Sequence, residues 1–253
     1  MLGLLRKRKT VSATLAQVPA GTRVYAIGDI HGCLGELDAL LASISDDAGG
    51  HAGEVSLVFV GDLVDRGPAS AGVIDRLMEP IAFASHVHVL MGNHEEAMLG
   101  VYDGTGDVRA WLSYGGIQTL ESYGIDRAEH FARGFDPVER MRAAIPQGHV
   151  DFVRGLPDRV QIGDYLFVHA GIRPGVAIDE QQSADLRWIR TEFLSSEADH
   201  GVTVVHGHTI APIPQSLANR VGIDTGCYAG GPLTALVLEG SERRFLQVEG
   251  YTG

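Results

Sequence analysis

The sequence predicts an α/β fold. Three observations carry that expectation. Short apolar runs rich in β-branched residues recur at intervals of about 30 residues, helical patterns separate the first three, and each early run ends in a glycine followed by a polar donor. Residues 24–27 form the first run. Residues 34–44 follow, with leucines at 34, 37, 40 and 41 in the 3–4 spacing of a helix face. The second run is 55–60, the next helical pattern 71–78, and the third run 87–91. From residue 95 to 159 the strand signal fades. Trp111, Leu112, Ile117, Leu120 and Tyr123 keep a helical period, and Pro137, Pro146 and Pro157 punctuate the stretch. It reads as a helical insertion packed on the sheet and covering one side of a site. Further strands are expected at 165–168, 202–205, 221–223, 234–238 and 245–248. A second insertion at about 175–201 carries one helical pattern over 184–194.

The composition bounds what such a fold could do. With 253 residues the chain buries a full core without needing disulfides or a structural metal. A net charge of −12 argues against general nucleic-acid binding, so any anionic substrate must be attracted locally by metal ions and a few arginines. Cys33 and Cys227 have no zinc spacing and read as free, buried, inert thiols in a reducing compartment, with cytoplasm the expected location. No apolar stretch reaches 18 residues, and the opening Met1-Leu2-Gly3-Leu4-Leu5-Arg6-Lys7-Arg8-Lys9 has the reverse of a signal peptide's polarity, so no stable membrane insertion is expected. The expected organisation is a flexible basic tail over 1–20 and a single domain over 21–253.

The chemistry lies just past the strands. The first run ends in Gly28-Asp29-Ile30-His31-Gly32, and the second in Gly61-Asp62-Leu63-Val64-Asp65-Arg66-Gly67. The third ends in Gly92-Asn93-His94-Glu95, the fourth in His169-Ala170-Gly171, and the fifth in His206-Gly207-His208-Thr209. The C-terminal edge of an open α/β sheet is where ligands bind. Carboxylate, imidazole and amide donors without thiolate suit manganese, iron or zinc. Two such ions need a bridging anion, and a carboxylate such as Asp62 can supply it.

The stretches GDIHG, GDLVDRG, GNHE, HAG and GHT, in this order over residues 28–209, resemble the phosphoprotein phosphatases, nearest to their small bacterial and phage-type members. The resemblance implies a four-layer α/β/β/α sandwich with helical insertions and two divalent ions, Mn²⁺ first, with Fe or Zn as alternatives. It implies that Asp29, His31 and Asp62 hold one ion, and Asp62, Asn93, His169 and His208 the other. His94, supported by Asp65, would protonate the leaving oxygen. Arg66 would grip the phosphate, and Arg190, in Trp188-Ile189-Arg190, would match a second phosphate-binding arginine, with Arg187 and Arg173 the next candidates. The expected reaction is hydrolysis of phosphoserine or phosphothreonine in a protein or peptide, with phosphotyrosine a further option, by direct attack of a metal-bridging hydroxide. The alternative is a symmetrical diadenosine tetraphosphate hydrolase or another small-molecule phosphoesterase. That group usually lacks the equivalent of Asp65 and ends its third motif in Asp, so GDLVDRG and GNHE favour the protein phosphatase. A metal-binding scaffold without activity would show a broken ligand position, and none is broken. His206 is expected to be structural or to back the metal ligands from behind.

Overall fold

The computed structural model describes residues 15–126 and 134–253. Its ten strands form two five-stranded sheets. Strands β1 (Thr22–Ile27), β2 (Glu54–Phe59) and β3 (His86–Val89) lie parallel, β9 (Leu233–Glu239) pairs antiparallel with β1, and β10 (Glu242–Val248) pairs antiparallel with β9, in the order β10-β9-β1-β2-β3. The second sheet runs β4 (Arg159–Ile162), β5 (Tyr165–Val168), β6 (Thr203–His206), β8 (Arg220–Gly222), β7 (Gln215–Ser216), with β5, β6 and β8 parallel. β4 and β7 carry no run of their own in the sequence reading, because one is a half-exposed four-residue edge strand and the other has only two residues, both exposed.

The period-two alternation of strand side chains decides the layering. Val24, Ala26, Val58 and Val60 point inward and meet Phe167, Val205, Val221 and Ile223 of the second sheet. Tyr25, Ile27, Leu57 and Phe59 point outward and pack under α1 (Leu34–Ala48) and α2 (Ser70–Met78). Leu166, Val168 and Val204 cover the other side with α8 (Ser183–Trp188) and α9 (Thr191–Leu194). The result is helix, sheet, sheet, helix, the four-layer sandwich that the resemblance implies. Three apolar interfaces stack in one unit, so the central strands β5, β6 and β8, and nearly all of β1 and β2, are buried on both faces.

The insertion expected over 95–159 is helical: α3 (Asn93–Asp103), α4 (Val108–Trp111), a π turn over Leu112–Gly116, α5 (Ile117–Ser122), α6 (Pro137–Ala144) and α7 (Gln147–Arg154). Gly115, at φ 114°, breaks the helical path inside the π turn and lets its carbonyl reach the backbone N–H of Arg66. The single pattern expected over 184–194 is two helices, because Ile189 and Arg190 leave the helical region between α8 and α9. None of the described helices is long and apolar enough to cross a membrane.

The tail expected over 1–20 needs a different boundary. Residues 1–14, with the basic nonamer, lie outside the described residues; Leu15 is exposed, and from Ala16 the chain is docked. The Gln17 N–H donates to the Asp164 carboxylate and the Gln17 carbonyl accepts the Asp164 N–H, Val18 is buried, and the Val18 N–H donates to the Gly240 carbonyl.

Candidate active site

The parallel strands of both sheets point the same way, and their C-terminal ends converge on one edge. Asp29 lies two residues past β1, Asp62 three past β2 and Asn93 four past β3, while His169 follows β5 directly and His208 follows β6 by two. All are buried. The loops that deliver them are conformationally costly. Five non-glycine residues have left-handed backbone among the described residues, and all five belong to the motifs: His31, Asp62, Asp65, Arg66 and His208. Such a backbone costs on the order of 1 kcal/mol per residue, so surrounding bonds must hold it in place.

Glu95 supplies many of those bonds. It is fully buried at the start of α3, and its carboxylate accepts the backbone N–H groups of Asp62, Leu63, Val64 and Gly92. Burial and the nearby Asp62 raise its pKa to about 7, against those donors. Glycine is required where the loops touch. A Cβ on Gly207 would overlap the Asp29 carboxylate, and one on Gly61, at φ 98°, would run into the backbone of Gly92.

Two clusters share Asp62. In one, Asp62 Oδ2 is 3.4 Å from His31 Nε2 and 3.9 Å from His94 Nε2. In the other, Asp62 Oδ1 is 3.3 Å from His169 Nε2, which is also 2.9 Å from Asn93 Oδ1 and 3.1 Å from His208 Nδ1. The hydrogen bonds fix the tautomers. His31 donates Nδ1–H to the Val64 carbonyl, and His169 donates Nδ1–H to the Val60 carbonyl, so both Nε2 lone pairs face the carboxylate. Burial lowers His31 to about 3 and pushes His169 down, while burial with the neighbouring His169 lowers His208 to about 3. All three are neutral near pH 7. Burial alone would raise Asp62, but the four histidines around it hold it below the usual carboxylate range. Asp29 Oδ2 accepts the His208 N–H, and its buried Oδ1 has no hydrogen-bond partner. Lone pairs converging on one another, with an orphaned carboxylate oxygen alongside, are the donor pattern of a divalent-cation centre. The residues fit two ions sharing Asp62.

The profile of the calcineurin-like phosphoesterases matches residues 22–239. The chain belongs to that family. Among curated relatives, it is 29% identical over 231 residues to the asymmetrical bis(5′-nucleosyl)-tetraphosphatase PrpE of Anoxybacillus flavithermus, covering 83% of this chain and 88% of that protein. It is 26% identical over 294 aligned positions to a symmetrical bis(5′-nucleosyl)-tetraphosphatase of a Janthinobacterium species, covering 89% and 95%. Among solved structures, a candidate diadenosine tetraphosphatase superposes with a TM-score of 0.65 at 25% identity, covering 94% of this chain and all of the other. A cold-active protein tyrosine phosphatase shares the fold, with a TM-score of 0.57 at 20% identity over 92% and 81% of the two chains.

Within this calcineurin-like site, every residue expected to hold a metal, a proton or a phosphate meets the cluster or its rim. His94 Nδ1 lies 2.7 Å from Asp65 Oδ2, which leaves its Nε2 facing Asp62. Burial raises the Asp65 carboxyl, yet its oxygens accept from His94, Trp111 Nε1 and Thr119 Oγ1, so the imidazole keeps the shared proton. Burial would lower His94, but Asp62 and Asp65 hold it above its ordinary value. Arg66 Nη1 reaches His31 Nε2 at 3.2 Å, with its guanidinium stacked 4.5 Å over the Tyr228 ring. Arg190 Nε donates to His208 Nε2 at 3.0 Å. Neither arginine forms an ion pair among the described residues. Arg173 is instead paired with Asp185, and Arg187 with Asp158 and Glu96. That commitment leaves Arg190 as the free arginine at this end of the cluster.

Four contributors escape the motif reading. Trp111 and Thr119 look like core helix positions, but Gly115 re-aims the segment so that their polar atoms reach Asp65. Asp224 follows β8 as Asp29 follows β1. Burial lifts its pKa to about 6, and it and Asp29 repel one another. Tyr228 backs both His31 and Arg66. The signal available in the sequence was the Asp224-Thr225-Gly226 turn after a strand. Cys33 and Cys227 are buried against each other and outside both clusters. His206 packs its ring on Phe193 and touches no donor of the clusters.

Proposed function

We propose that this calcineurin-like phosphoesterase hydrolyses bis(5′-nucleosyl) polyphosphates, with tetraphosphates as the reference substrate. The observation that carries the reading is the pair of arginines without carboxylate partners, Arg66 beside His31 and Arg190 beside His208. They stand at the two ends of the cluster, where a linear polyphosphate has charge on both sides of the reacting phosphorus and a monoester does not. The names of the PrpE and symmetrical tetraphosphatase relatives support the same class. GNHE, which favoured a protein phosphatase in the sequence, loses that force. Glu95 faces backbone N–H groups rather than substrate, so its identity bears on loop stability and not on what is cleaved.

Asp29, His31, Asp62, Asn93, His169 and His208 would hold two divalent ions, manganese first, with iron and zinc next. When bound, such a pair neutralises phosphoryl oxygens and acidifies water near neutral pH. Arg66 and Arg190 align the phosphates. His94, charged through Asp65, holds a proton on Nε2 for the oxygen that leaves. A second reading, hydrolysis of phosphoserine or phosphothreonine in peptides, is favoured by that same His94–Asp65 pair, because an alkoxide needs a proton more than a nucleotide phosphate does.

The test is a side-by-side assay with manganese. A dinucleoside tetraphosphate is expected to exceed every phosphopeptide in kcat/KM. A phosphopeptide cleaved more efficiently would install the second reading in its place.

A further inference from the structure

We propose that Trp188 is the stacking platform of a nucleobase subsite at the lip of the site, with Arg190 holding the phosphate next to that base. The subsite deepens the dinucleotide reading and rests on it for the identity of its ligand.

The argument begins with exposure. Trp188 is 43% exposed, although its neighbours Leu186 and Ile189 are buried under the second sheet. A half-exposed indole keeps one flat apolar face open to a ligand while its N–H is already satisfied within the chain. The ring is also fixed. Its Nε1–H donates to the Glu96 carboxylate, which in turn accepts from Arg187. Glu96 lies in the first turn of α3, two residues past His94, so the plane of the indole is referenced to the residue that holds the catalytic proton. Its place completes the case. The ring stands edge-on to His208 with centroids 6.5 Å apart, and two residues later Arg190 meets the same imidazole. A flat apolar face and a guanidinium thus sit side by side at one end of the cluster. A nucleoside phosphate presents the same two features in the same order.

Arg187 is shared between Glu96 and Asp158, so this group keeps a net negative charge and the cation left for a phosphate is Arg190. A planar, uncharged π-face is the ligand that fits. The other tryptophan, Trp111, is buried with its N–H on Asp65 and is not available for stacking.

The test uses the manganese-loaded enzyme and two non-hydrolysable probes matched in phosphate chain, α,β-methylene-ADP and methylenediphosphonate, measured by calorimetry. The nucleotide is expected to bind roughly tenfold more tightly than the diphosphonate, the worth of one stacked base. Trp188→Ala should erase that preference and leave diphosphonate binding unchanged, while Trp188→Phe should keep most of it. The nucleotide, and not the diphosphonate, should quench indole fluorescence. The subsite is overturned by equal binding of both probes to the parent enzyme, by a preference that survives Trp188→Ala, or by diphosphonate binding that falls in step with nucleotide binding. A phosphopeptide that loses as much as the nucleotide in Trp188→Ala would also overturn it, in favour of a peptide groove. The two readings fail separately. A Trp188-dependent nucleotide preference in an enzyme that cleaves phosphopeptides best would sink the substrate assignment and leave the subsite standing.

Discussion

The two halves of the site are built by different means. On the edge of the first sheet, Asp29, His31, Asp62 and Asn93 stand on loops tied to one another, with Glu95 accepting four backbone N–H groups at their centre. On the edge of the second sheet, His169 and His208 are referenced outward. The His169 ring hangs from the Val60 carbonyl, the His208 N–H from Asp29, and the Gly207 N–H from the His169 carbonyl. The first half therefore holds its own geometry, and the second takes its position from the first. Damage should travel in one direction: a lesion in the first half disturbs both clusters, and a lesion in the second leaves the first intact.

The most damaging lesion is at the shared residue. Asp62→Asn is expected to lose more than roughly 10³-fold in turnover and at least one bound metal, since an amide cannot neutralise two cations. Metal analysis on the purified variant decides it; two equivalents with normal turnover would remove the bridging assignment. The directional claim is sharpened by comparing Asp29→Ala with His208→Ala. The first should weaken both metals and the second only one, and equal metal loss in the two variants would contradict the asymmetry.

Next in size is His94→Asn, which spares both halves and touches the proton. Turnover on substrates with poor leaving groups should fall roughly 10²–10⁴-fold with metals retained, and much less on nitrophenyl phosphate. Because His94 is held above its ordinary value, the protonated form persists past pH 6.5 and activity on poor leaving groups should decline as pH rises through the shifted value. An equal loss on both substrates would make the residue structural.

A smaller effect belongs to a histidine outside both clusters. Burial lowers His206, beneath the second half, to about 4. As pH falls below 6.5 the unfolded chain takes up a proton that the folded chain refuses until about 4, so stability drops across that window by up to about 3 kcal/mol. Urea unfolding in chelator should show a shallower decline for His206→Phe. The smallest expected change is in phosphate inhibition: Arg66→Ala and Arg190→Ala should each weaken it roughly tenfold. An unchanged constant for Arg190→Ala would return attention to Arg187 and Arg173.

How much of this was legible follows the same division. The first half announces itself, because its donors come in dense runs with the glycines that permit the turns, and Asp29, His31, Asp62, Asp65, Arg66, Asn93 and His94 could be read directly. His169 and His208 are sparser but still follow apolar runs. What the sequence hides is position that depends on distant packing. Trp111 and Thr119 have the period of a core helix, and only the break at Gly115 turns their polar atoms toward Asp65. The docking of residues 16–18 depends on Asp164, Tyr165 and Gly240, more than 140 residues away in the chain, and nothing local to a tail reports that. Glu95 was read as a mark of substrate class when its surroundings make it a structural anchor. A carboxylate's type is visible in one dimension, but the groups it faces are not.

The left-handed residues have a consequence for redesign. Anyone improving this protein by backbone preference alone would begin at His31, Asp62, Asp65, Arg66 and His208, where glycine would relieve the most strain. Each such change would relax the backbone but delete a donor or an anchor of the site, and at Asp65 it would leave the Trp111 and Thr119 donors buried without their acceptor. What the backbone prefers and what the site requires thus pull against each other at the same five positions.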